Sequence, residues 1–124
     1  MKHLKHRDDS IDMREINDIL NIARDEGIVV NHNHTNWHLT ITLRRGDFDN
    51  ERFKEISYEI LKRIMSLDIF REPNLYSGRT INSPRYRVED PKSFLLGKIP
   101  PGMHPAKYRK PPFLDNLKFE FQYL

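Results

Sequence analysis

Three imidazoles fall within seven residues, at His32, His34 and His38. Imidazole is a common zinc ligand, and its ordinary pKa lets it take up or release a proton near neutrality. A turn that brought His38 back beside His32 and His34 would offer three nitrogens to a metal. No carboxylate lies in the segment to complete or orient that set. The Asn-rich setting makes polar turn residues the first reading. Catalysis by His38, Thr40 and His34, or a metal at His32, His34 and His38, stands as the alternative, and no cofactor is expected.

A second set is basic and aromatic. Arg79, Arg85, Tyr86 and Arg87 lie within nine residues, and Lys107, Tyr108, Arg109 and Lys110 follow inside the stretch PPGMHPAKYRKPP. A guanidinium presents planar paired donors to phosphate, a tyrosine ring stacks on a base, and proline lowers the entropy lost when a loop is ordered. Residues 71–124 carry 10 Lys+Arg and 5 Asp+Glu, whereas residues 1–70 carry 11 and 13. These eight residues are the predicted ligand-binding set, and nucleic acid or a nucleotide-like phosphate is the predicted ligand.

His38-Leu39-Thr40 resembles one H-x-T element of the 2H phosphoesterases. In that family two such elements on facing strands activate water or a ribose hydroxyl and hold the phosphate. The resemblance covers three residues, and no second His-x-Thr or His-x-Ser occurs in the chain. The sequence is therefore not assigned to the family, and His38 is retained as an alternative catalyst. The five glycines are too scattered for a dinucleotide fingerprint or a P-loop, and no HExxH, EF-hand loop or serine elbow occurs. With no cysteine, disulfides, thiolate metal sites and a cysteine nucleophile are excluded.

The elements that must position these residues follow from hydrophobic spacing. At 124 residues the chain is expected to form one domain, with residues 1–9 frayed and residues 98–113 a proline-rich loop. Asp12 and Glu15 have the form of a capping box. Ile16, Ile19, Leu20 and Ala23 follow at helical spacing and Gly27 ends the run, predicting a helix over about 11–26. Phe53, Ile56, Ile60, Ile64 and Leu67 form the stripe of a second helix over about 49–66, started by Asp47 or Asp49.

Strand patterns surround those helices. Ile28-Val29-Val30 and the alternating run Trp37, Leu39, Ile41, Leu43 predict a hairpin with its turn at Asn31–Asn36. A short strand is expected at Arg85–Val88. Alternation over Leu117–Tyr123 predicts a last strand with Leu117, Phe119, Phe121 and Tyr123 in the core. The predicted fold class is α+β, with two helices packed on one face of a small, mainly antiparallel sheet and the proline-rich loop preceding the C-terminal strand.

No run is long and apolar enough for a membrane span and no apolar leader follows the charged start, so a soluble protein of a reducing, intracellular compartment is expected. Three functions compete. The first is a small, basic, non-catalytic binder of nucleic acid or nucleotide. The second is a protein-binding inhibitor or accessory module of the viral or mobile-element type, docking through the proline-rich loop. The third is a small phosphoesterase or ribonuclease using His38.

Overall fold

In the computed structural model, described for residues 13–79, 84–108 and 113–124, helix α1 covers Met13–Arg24 and helix α2 covers Asn50–Met65. Apolar residues recur at helical spacing on both, and Ile16, Ile19, Leu20 and Ala23 of α1 face Phe53, Ile56, Ile60 and Ile64 of α2 within one buried core. Helix α2 starts at Asp49, whose carboxylate accepts the Arg52 amide at 2.9 Å and so satisfies one of the unpaired first-turn donors.

Helix α1 ends as the glycine predicts. Gly27 takes a φ of 97°, and the Gly27 and Ile28 amides donate back to the carbonyls of Arg24 and Ala23 at 3.0 and 3.1 Å. This is a Schellman closure, which a residue with a Cβ would strain. It turns the chain at once into the buried Ile28. Asp12 and residues 1–9 lie outside the described residues.

Five strands follow: β1 (Val29–His34), β2 (His38–Arg44), β3 (Asn74–Gly78), β4 (Pro84–Val88) and β5 (Asn116–Gln122). They form one sheet in the order β1-β2-β5-β3-β4, with every neighbouring pair antiparallel. Strands β2 and β3 therefore run parallel on either side of β5, and α2 carries the chain over it, a split β-α-β unit. Leu39, Ile41 and Leu43 of β2, Leu117, Phe119 and Phe121 of β5, and Leu75 of β3 all point to the helices and are fully buried. The domain is α+β, with its helices on one side of an antiparallel sheet. No helix among the described residues is long and apolar enough to cross a membrane.

Four expectations change. The predicted turn at Asn31–Asn36 is largely strand: β1 runs to His34, and the Thr35 amide donates to the His38 carbonyl at 2.9 Å, which narrows the loop to Asn36–Trp37. Trp37 therefore sits at the hairpin apex, 71% exposed, rather than in one strand with Leu39, Ile41 and Leu43. Tyr123 falls one residue past β5 and is only half-buried, against Phe70. The proline-bearing region contains a short helix, α3 (Pro91–Leu95), and a 3-10 turn at Pro105–Lys107. Asp90 caps α3 by accepting the Ser93 amide at 3.1 Å, and Pro91 fits the first turn because its missing N–H would have no helical partner there.

Two stability outcomes follow. Ile60→Ala removes a fully buried side chain between helix and sheet and should cost about 2–5 kcal/mol in a urea titration; an unchanged midpoint would refute the packing described. Removing residues 117–124 deletes the strand that joins β2 to β3, so the shortened chain should show no cooperative thermal transition by circular dichroism.

Candidate nucleic-acid interface

Strand alternation sends half of each strand's side chains away from the helices. The register aligns these outward residues in rows. One row crosses all five strands as Asn31, Thr42, Lys118, Tyr76 and Arg87, and a second aligns Asn33, Thr40, Glu120 and Asn74. None of these residues is buried. Only at the row's far margin, where Asn116 meets Gly78, does this side of the sheet become buried. The face is polar, and inside that margin its described side chains are half-buried or exposed.

Its charge is one-sided. Its described outward side chains include three cations, Arg44, Arg87 and Lys118, and a single acid, Glu120. Lys118 holds its ammonium 5.5 Å from the Tyr76 ring centroid and 3.2 Å from a Glu120 carboxylate oxygen. On the other side of Tyr76, the Arg87 guanidinium donates to the Asn74 carboxamide oxygen at 3.2 Å. Tyr76 thus lies between two cations, and its ring is held by Lys118 in a cation–π contact. The Lys118–Glu120 pair is solvent-accessible and worth at most about 1 kcal/mol, so a phosphate can take the ammonium from Glu120 at small cost.

Among the described residues, the predicted basic–aromatic set is divided between the two faces of β4. Tyr86 and Arg87 are consecutive residues of β4, so they occupy opposite faces. Arg87 joins the open face. Tyr86 pairs in register with the buried Ser77 on the helix side and, still 53% exposed, packs 5.7 Å from Phe113. The Arg79 guanidinium lies 5.0 Å over the same Phe113 ring. Lys107 is exposed at the 3-10 turn. Burial, with smaller contributions from the Asp90 and Glu89 charges, pushes the Tyr108 hydroxyl above its ordinary pKa. Arg85 is a residue of β4 at the shift in register, and Arg109 and Lys110 lie outside the described residues.

The histidines separate in the same way. His32 and His34 share the helix-side face of β1, opposite Ile41 and Leu39, while His38 projects from the open face opposite Gln122. Three ligands cannot converge across a sheet, and among the described residues no group of three His, Asp or Glu is placed to hold a metal. His34 hydrogen-bonds the Tyr123 hydroxyl, and His38 Nδ1 lies 3.2 Å from Thr35 Oγ1. His38 and Thr40 do share the open face, but the strand beside them offers Gln122 and Glu120 in register, not a second His and Thr. That leaves half of a phosphoesterase-like pair.

Sequence reasoning missed Tyr76, Lys118 and Arg44. Lys118 was recoverable, because Leu117 and Phe119 pointing inward force Lys118 outward. Tyr76 was not, because β3 is only five residues long and includes Asn74 and Gly78. Compared with known proteins, the chain matches no family model, and no curated protein or solved structure shows significant similarity to it.

One titration follows from the β1 edge. Partial burial, the Arg24 guanidinium and His34 hold His32 below the ordinary imidazole value, so its neutral form is favoured in the folded state. As pH falls through about 6.5, the unfolded chain takes up this proton before the folded one, and stability drops. The melting temperature should therefore fall between pH of about 7.5 and about 5.5, and His32→Asn should make that fall shallower. An equal fall in the variant would remove His32 from the account.

Proposed function

We propose that the protein binds single-stranded nucleic acid on the open face of its sheet, without catalysis. The observation that carries this reading is the row Lys118–Tyr76–Arg87, an aromatic ring flanked by two cations on an uncovered sheet. Such a face matches an unpaired strand in both of its chemistries. Bases stack on aromatic side chains with little regard to sequence, and phosphates are met by lysine and arginine. Thr40, Thr42, Asn31 and Asn33 add hydroxyl and carboxamide groups able to bond base edges and sugar. A five-stranded surface is too wide to enter the major groove of a duplex as a helix or a two-stranded ribbon does, which favours unpaired strands.

The net charge of +3 is modest, so affinity should depend on local placement rather than on the field of the whole molecule. Fluorescence anisotropy of a labelled single-stranded oligonucleotide, recorded at several salt concentrations, tests the reading. Lys118→Ala and Arg87→Ala should each flatten the log–log salt slope by about one unit, and Tyr76→Ala should weaken binding by about 1–3 kcal/mol with the slope kept. Duplex of the same sequence should bind more weakly. Parent-like binding by a Tyr76→Ala/Lys118→Ala/Arg87→Ala protein would move the site off this face.

A further inference from the structure

At one end of the sheet the chain forms a cleft of about 410 Å³ lined by Trp37, His38, Arg71, Gln122, Tyr123 and Leu124. Its walls come from the two sides of β5. The Tyr123 amide donates to the Trp37 carbonyl at 3.4 Å on one side, and the Arg71 amide donates to the Gln122 carbonyl at 2.7 Å on the other. Trp37 and Arg71 thus stand two strand spacings apart, roughly 10 Å.

Each wall displays a group suited to a nucleotide. Thr35 Oγ1 accepts from both the Trp37 and the His38 amides at 3.2 Å, so the hairpin apex has a fixed backbone and the indole is held out 71% exposed. Arg71 Nε donates to the Tyr123 carbonyl at 3.4 Å, and among the described residues no carboxylate pairs with this guanidinium. Between the walls lie the His38 imidazole and the Gln122 carboxamide, paired in register on the open face. Gln122 is four residues from Lys118 along that face of β5, roughly 14 Å. The cleft is the end of the open face.

We propose that this cleft holds one nucleotide, the terminal one of the bound strand, with its base stacked on Trp37 and its phosphate on Arg71. His38 and Gln122 supply hydrogen bonds to the sugar or base edge. The volume falls in the range of small-ligand sites, and the pairing of a stacking plane with a bidentate phosphate donor is what a nucleotide requires. The proposal rests on the sheet-face reading for the strand, whereas a free nucleoside monophosphate carries the same chemistry and separates the two.

Trp37 is the single tryptophan, so intrinsic fluorescence reports this cleft directly. The test titrates the protein with AMP and with an eight-residue oligoadenylate, reading tryptophan emission alongside anisotropy of the labelled oligomer. Both ligands should quench emission to saturation. Arg71→Ala, at an exposed position, should weaken both by about tenfold, the loss of one charge-assisted contact, while Tyr76→Ala weakens the oligomer alone. An oligomer that binds by anisotropy without changing emission, or AMP quenching unaltered by Arg71→Ala, overturns the cleft and leaves the sheet face standing. Quenching by AMP with no oligomer binding overturns the sheet face and leaves a nucleotide site. Absence of both signals overturns both.

Discussion

Every strand pairing that matters converges on β5. It lies at the centre of the sheet, antiparallel to β2 on one side and β3 on the other, and without it the two hairpins would be separate two-stranded pieces. Isolated hairpins are marginal in water. The alternation of β5 also defines the two faces. Leu117, Phe119 and Phe121 face the helices, with the Phe119 and Phe121 rings 5.9 Å apart, and Lys118, Glu120 and Gln122 face outward. Core and candidate interface are two sides of one strand, so a shift of its register by a single residue would exchange them.

Charge is partitioned between the layers. On the helical side three acids are matched locally: Arg52 bridges Glu26 and Glu55 at 2.9 and 3.1 Å, and Glu59 accepts from Arg63 and Lys62 at 2.8 and 3.2 Å. These contacts hold the Glu59 carboxyl below its ordinary range. They engage three of the α2 cations, although pairs so exposed contribute little to stability. The strands carry cations with one carboxylate among them. An approaching polyanion therefore meets α2 cations already engaged by carboxylates and a sheet face on which, among the described residues, Arg44 and Arg87 are not.

The long elements were legible in the sequence because their period is unambiguous. Ile16 to Ala23 and Phe53 to Ile64 repeat as helices, and Leu39 to Leu43 and Leu117 to Phe121 alternate as strands; the structure buries all four sets. Alternation by itself does not say where a strand stops, which is why it absorbed Trp37 and Tyr123. Strand β3 left no pattern in five residues, and α3 was masked by surrounding prolines although Asp90-Pro91 has the form of a cap followed by a first-turn proline. The predicted binding set followed sequence proximity, and on a strand neighbours in sequence diverge in space. Arg87 reached the candidate face while Tyr86 did not.

The central position of β5 also has a kinetic consequence. It is the last of the five strands to leave the ribosome, and its partner residues in β2 precede it by more than 70 positions, as in Arg44 with Asn116 and His38 with Gln122. Synthesis proceeds at roughly 5–20 residues per second, so the segments of both hairpins and α2 are made seconds before the strand that unites them. During that interval the inner edges of β2 and β3 expose unpaired backbone donors and acceptors beside Leu39, Ile41 and Leu75. Such edges recruit other chains as readily as their own. Until β5 pairs with them, these edges are where aggregation competes with folding.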